Sequence, residues 1–207
     1  KAAKRTHEFL KEQFDALLDE IGPKAEDIDM PVLPIVLFVN LGVGCTSIIA
    51  NFKITKPEQI NVSVVAEQIR KNNVTRITAS PFFIKKLSEH AIKERTEFLQ
   101  IKRIFTGGAP VFPNEASLYI KAFPQSVSTV VYGSTEAEPI SSIDSRELVK
   151  RSEELSNGLP VGQPYHKANL KIIEINDDAI PPCSEAELNK MVVREGKIGE
   201  IIVSGPH

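Results

Sequence analysis

Ile101-Lys102-Arg103-Ile104-Phe105-Thr106-Gly107-Gly108-Ala109-Pro110 runs from a β-rich stretch straight into two glycines and a proline. The pattern returns one unit later, where Ser128 to Tyr132 reads as a strand that empties into Gly133-Ser134-Thr135-Glu136. Between them, Asn114 to Phe123 has helical spacing, with Asn114 or a neighbour as its cap and Pro124 as its stop. Upstream, Val62 to Lys71 is helical, Val74 to Ala79 is a β-branched run that ends at Ser80-Pro81, and Phe83 to His90 is again helical. Strands alternating with helices of this length predict an α/β fold, with a mostly parallel sheet flanked by helices.

Towards the amino end, Phe9, Phe14, Leu17, Leu18 and Ile21 predict an amphipathic helix over 6–21 with Gly22-Pro23 as its stop. Val32 to Phe38 reads as a buried strand and Thr46 to Ala50 as another. After Pro160-Val161-Gly162-Gln163-Pro164 the character changes. Asn169 to Ile175 and Glu200 to Val203 are β-rich and are separated by the polar stretch 176–196. The expected division is an α/β subdomain over 1–159 and the beginning of a small β-rich subdomain over 160–207. Both ends read as cut, so the chain is expected to be an internal segment of a longer protein and inactive alone.

The 207 residues carry 25 basic and 27 acidic side chains, a net charge of −2, which offers no electrostatic reason for nucleic acid or an anionic membrane as a partner. The hydrophobic fraction of 42% is ordinary for a globular protein. Cys45 and Cys183 are too few for a disulfide scaffold and too far apart for a zinc site, which suits a reducing cytoplasmic setting. The longest apolar stretch, Val32 to Ala50, is broken by Pro34, Asn40, Gly42 and Gly44, so it is not expected to span a membrane. The polar opening Lys1-Ala2-Ala3-Lys4-Arg5 does not suggest a cleavable signal.

Two glycines after a strand let the backbone approach a flat ring or a phosphate, although a tight turn leading into a helix explains Gly107-Gly108 equally well. In the second loop Tyr132 offers a face for stacking on a purine, and the Ser134 and Thr135 hydroxyls suit phosphate oxygens. Glu136 suits a magnesium ion shared with phosphates. The plainer reading of that loop is a strand end, a turn and an acidic helical cap. His7 could touch a substrate but reads more plainly as a helix-start residue, His90 lies on a charged helix surface, His166 and His207 have no carboxylate or cysteine arrangement around them, and neither a metal cluster nor a hydrolase triad follows from their spacing.

Taken in order, Phe105 to Pro110, Tyr132 to Glu136, Val161 to Pro164 and Gly199 to Pro206 are similar to the motifs of the adenylate-forming acyl-CoA synthetase and ligase superfamily. Asp29-Met30-Pro31-Val32-Leu33-Pro34 with Leu37-Phe38, Glu136 to Ile143, and Ser145-Arg146-Glu147-Leu148 resemble the fatty-acid-CoA ligase-like branch that includes the β-lactone synthetase of bacterial olefin biosynthesis. The resemblance implies ATP-dependent activation of a fatty or β-hydroxy fatty acid, a small carboxylic acid partner, to an acyl-adenylate in the parent enzyme. Coenzyme A ligation or β-lactone formation would follow, and these two stay open.

The cofactors implied are ATP or AMP and magnesium, with coenzyme A where a thiol consumes the anhydride. Gly107, Gly108, Ala109, Pro110, Tyr132, Gly133, Ser134 and Thr135 become the nucleotide-binding set. Thr135 and Glu136 become the catalytic pair, with Glu136 on the metal. Phe38 and Val39 are candidates for an acyl channel. The family's phosphate loop with its lysine is expected before residue 1, and its ribose-binding aspartate and late catalytic lysine after His207. A noncatalytic nucleotide- or acyl-binding module on the same fold is the alternative.

Overall fold

The computed structural model describes residues 5–53, 55–153 and 158–206. Helix α1 (His7–Ile21) opens at Thr6, whose hydroxyl accepts a hydrogen bond from the Phe9 amide at 3.1 Å, and closes at Gly22 in the left-handed region, φ 49°. Then come β1 (Ile28–Pro31), α2 (Pro34–Val43), β2 (Thr46–Ser47), α3 (Val62–Lys71), β3 (Arg76–Ala79), α4 (Pro81–Lys93), β4 (Arg103–Gly107) and α5 (Pro113–Ala122). The chain continues through β5 (Val127–Ser134), β6 (Ala137–Asp144), α6 (Ser145–Lys150), β7 (Gln163–Pro164), β8 (Asn169–Ile173), α7 (Glu185–Met191) and β9 (Glu200–Ser204).

Among the described residues β1 to β7 form one sheet in the order β2-β1-β3-β4-β5-β6-β7. Pairing is parallel from β2 across to β5, then antiparallel at β5–β6 and β6–β7. β8 and β9 form a separate antiparallel pair. This is the α/β arrangement expected, a mostly parallel sheet flanked by helices. Because side chains alternate along a strand, Met30, Ile77 and Ile104 face α3, α4 and α5 and make the larger core with Ile69, Leu87 and Tyr119. Phe105 faces the other way and packs with Leu17, Ile21, Val36 and Val39 of α1 and α2.

The expected strand over Val32 to Phe38 is not formed. Leu33 is the N-cap and Pro34 sits in the first helical turn, where its missing N–H costs nothing. The helix runs to Gly44, which ends it at φ 74°. Val36, Val39 and Asn40 are its buried residues, a helical spacing hidden inside a run that is apolar on every side. The strand lies earlier, at Ile28–Pro31. Of the expected Thr46 to Ala50 strand, only Thr46 and Ser47 pair. No helix among the described residues is long and apolar enough to cross a membrane.

At the amino-terminal ends of β1 and β3 the face towards α1 and α2 is polar. Arg76 is 1% exposed; its Nη1 lies 3.2 Å from Asp27 Oδ2 and its Nη2 donates to the Ile21 carbonyl at 2.7 Å. Asn40 Nδ2 donates to Asp29 Oδ2 at 2.8 Å, while Arg76 Nε stands 3.9 Å from Asp29 Oδ1. That last gap is too long for a hydrogen bond, so the attraction does not offset desolvation. Burial pushes the Asp29 carboxyl up to about 6, against the Asn40 bond and the Arg76 charge.

Folded Asp29 therefore keeps its proton to about pH 6, while the unfolded chain releases it near 3.8. The folded state binds more protons across that window, so this group's contribution to stability is fully present below 3.8 and falls as pH rises to about 6. In urea titrations over the window, Asp29→Asn should lose up to about 3 kcal/mol less than wild type. Parallel profiles for the two proteins would exclude the carboxyl as the source.

Candidate functional site

Beyond the carboxyl ends of β4 and β5, a cavity of about 280 Å3 opens between Gly108-Ala109-Pro110, the end of β5 and the returning segment Leu159-Pro160-Val161. Its walls are mainly apolar, with Tyr132 among them. Gly107 lies buried beneath, where an added Cβ would stand 2.6 Å from the Val131 carbonyl oxygen. Its lack of a side chain is what lets β4 run so close to β5. Gly108 turns the chain at φ 82°, and nothing lies within 4 Å of where its Cβ would be.

The second loop is a hairpin tip, because the chain reverses into β6 and not into a helix. Tyr132 pairs with Ser141 and Ser134 with Ala137, with an irregularity between them at Gly133. Glu136, which reads in the sequence as an acidic helical cap after the turn, lies in the turn itself, and a strand and not a helix starts at Ala137. Glu136 N–H donates to Ser134 Oγ at 3.3 Å, and the Thr135 carbonyl accepts from Arg5 Nη2 at 2.7 Å. Both Thr135 and Glu136 are exposed. Burial raises the nearby Glu138 carboxyl, with the Arg5 charge opposing.

Of the residues singled out from sequence, Gly108, Ala109, Pro110, Tyr132 and Gly133 meet at the cavity. Gly107 supports it from the sheet, and Ser134, Thr135 and Glu136 stand at the adjoining tip. Phe38 and Val39 do not line it: Phe38 is exposed on α2 and Val39 is packed in the core with Leu17 and Phe105. The wall from Leu159 to Val161 was missed except for Val161, which began one of the quoted motifs. Arg5 was missed too, since no local pattern announces a contact 130 residues away.

The donor set suits magnesium bound through phosphates. Among the described residues no three His, Cys, Asp or Glu side chains gather to cage an ion, and a lone exposed carboxylate beside an open, partly apolar cavity is what such an ion needs from protein when phosphates supply further oxygens.

A sequence model of the AMP-binding enzyme family matches residues 32–207. This chain belongs to that family.

Among curated relatives, the AMP-binding chain is 28% identical over 203 residues to the olefin beta-lactone synthetase of Stenotrophomonas maltophilia, covering 97% of this chain and 35% of the relative. It is 26% identical over 203 residues to the same-named protein of Xanthomonas campestris, with 97% and 35% covered. The chain thus spans about a third of the length of these relatives. An o-succinylbenzoate coenzyme A synthetase of Bacillus subtilis in complex with AMP superposes with a TM-score of 0.72 at 20% identity, covering 100% of this chain and 38% of that one. A long-chain-fatty-acid-CoA ligase of Archaeoglobus fulgidus gives 0.70 at 21%, covering 97% and 38%. These two structures show that the AMP-binding chain shares their fold.

Proposed function

We propose that this chain is the nucleotide-handling part of an AMP-forming ligase that activates a fatty or β-hydroxy fatty acid. The observation that carries the reading is the juxtaposition of a cavity bounded by Gly108, Ala109, Pro110 and Tyr132 with the Thr135-Glu136 tip on the same strand end. The cavity suits a flat ring stacked on Tyr132, with the phosphates directed outward to the Ser134 and Thr135 hydroxyls. A carboxylate oxygen of the acid attacks the α-phosphorus, the bond to the β-phosphate bridging oxygen breaks, and pyrophosphate leaves. Thr135 meets the charge that develops on the α-phosphate, and Glu136 would hold the metal. Magnesium, when bound, neutralises phosphate charge as the bond breaks.

The acyl-adenylate then yields AMP and a thioester if the coenzyme A thiol attacks its carbonyl, or AMP and a β-lactone if the substrate's own hydroxyl does. The likeness to the olefin beta-lactone synthetases favours the second outcome and a β-hydroxy acid. Residues 1–159 are assigned to the α/β subdomain and 160–207 to the start of a β-rich one, a division supported by the separate β8–β9 pair. The unpaired thiols of Cys45 and Cys183 accord with a cytoplasmic, reducing setting.

The test is ATP-dependent pyrophosphate release by the intact protein carrying this chain, across fatty and β-hydroxy fatty acids, with product analysis. Release should require the acid, and Glu136→Ala should lower it by about tenfold or more. A folded, magnesium-supplied protein that binds ATP but releases no pyrophosphate with any acid would favour the noncatalytic binding module.

A further inference from the structure

Arg5 immediately precedes the Thr6 cap of α1, yet its guanidinium reaches the far end of the sheet. Nη2 donates to the Thr135 carbonyl at 2.7 Å and Nη1 to Gln13 Oε1 at 3.2 Å, and Cζ lies 5.6 Å from the centre of the Phe9 ring. Gln13 is fully buried, so one arm of the fork is anchored in the protein body while the other holds the hairpin tip. The Thr135 carbonyl belongs to the peptide that joins Thr135 to Glu136. Fixing that oxygen fixes the rotation of the peptide plane, and with it the directions in which both side chains leave the backbone.

We propose that Arg5 is a positioning residue for the Thr135-Glu136 peptide, setting where the Glu136 carboxylate and the Thr135 hydroxyl stand and placing a fixed positive charge beside the phosphates of a bound nucleotide. This rests on the nucleotide reading above. Arg5 is not among the residues that line the cavity. Its influence therefore falls on the phosphate and metal end of the ligand, and that asymmetry separates it from a residue that merely stabilises α1.

The experiment is calorimetric titration of the intact protein with adenosine without metal and with MgATP, together with a magnesium titration at fixed ATP. Arg5→Ala should weaken MgATP and raise the half-saturating magnesium concentration by about three- to tenfold, while affinity for adenosine, which has no phosphate, moves by less than about twofold. Arg5→Lys, which keeps the charge without the fork, should recover part of the loss. Gln13→Met, which removes the anchor but leaves Arg5 in place, should shift MgATP in the same direction and carries the test if Arg5→Ala does not fold. Equal weakening of adenosine and MgATP, or unchanged MgATP binding, would overturn the positioning role alone. A wild-type protein that binds neither ligand would overturn the nucleotide reading, and the role of Arg5 with it.

Discussion

Arg76→Ala should cost about 3 to 5 kcal/mol of folding free energy in urea denaturation, because it strands charge in a place water does not reach. The guanidinium is 1% exposed, bonded to Asp27 and to the Ile21 carbonyl, with Cζ 5.2 Å from the centre of the Phe105 ring. Alanine removes the cation that faces Asp27 and Asp29 and also opens a cavity between α1 and the sheet. The pairing is a compromise already: among the described residues Arg76 Nε, Asp29 Oδ1 and Asn40 Oδ1 have no hydrogen-bond partner. Taking both charges away should therefore hurt less than taking one. The double variant Arg76→Met with Asp29→Asn is expected to be more stable than Arg76→Met alone. A single Arg76→Ala variant within about 1 kcal/mol of wild type would show that the network contributes little.

Gly162→Ala should be nearly as damaging, by about 3 kcal/mol, through backbone geometry and without any change of charge. Gly162 sits at φ 86°, and an added Cβ would overlap the Ser142 carbonyl oxygen. Ser142 is the residue opposite Gln163 where β7 pairs with β6, so the methyl can be accommodated only by prying that pair apart. Leu159, Pro160 and Val161 lead into the same point and wall the cavity, so nucleotide affinity should fall along with stability. Gly44→Ala is the control. Its φ of 74° is comparable but nothing lies within 4 Å of its Cβ position, so it should lose only the dihedral cost of about 1 to 2 kcal/mol. Equal losses at the two positions would mean that the overlap with Ser142 relaxes freely.

Elements whose signals are local were legible in the sequence. Val62 to Lys71 is helical over the expected span, with the Asn61 side chain accepting from Val64 N–H, and α1 ends at the Gly22 that marks it. The run from Leu33 was not, because its exposed side carries Phe38 and Leu41, so an apolar outer face leaves no polar stripe to reveal its period; only Pro34 and Gly44, as start and stop, carried the information. β6 was hidden by Glu136-Ala137-Glu138-Pro139, whose charges and proline suggest a cap or a loop until the pairing with β5 is known. In the polar stretch 176–196 a helix was overlooked although Ser184 and Glu187 form a reciprocal cap, with the Ser184 N–H donating to Glu187 Oε2 at 2.7 Å. The floor of the candidate site was readable because glycines after strands are a local sign. Its far wall and the Arg5 contact were not, since both come from chain returning over long separations.

The turn between β5 and β6 behaves mechanically as a cantilever. Tyr132 is clamped by its pairing across to Ser141, whereas Thr135 and Glu136 overhang the last rung of the ladder. Bending compliance grows along an overhang, so on the proposed nucleotide reading a ligand would meet a stiff wall at its ring and a yielding one at its charged end. The guanidinium of Arg5 is the prop under the free end.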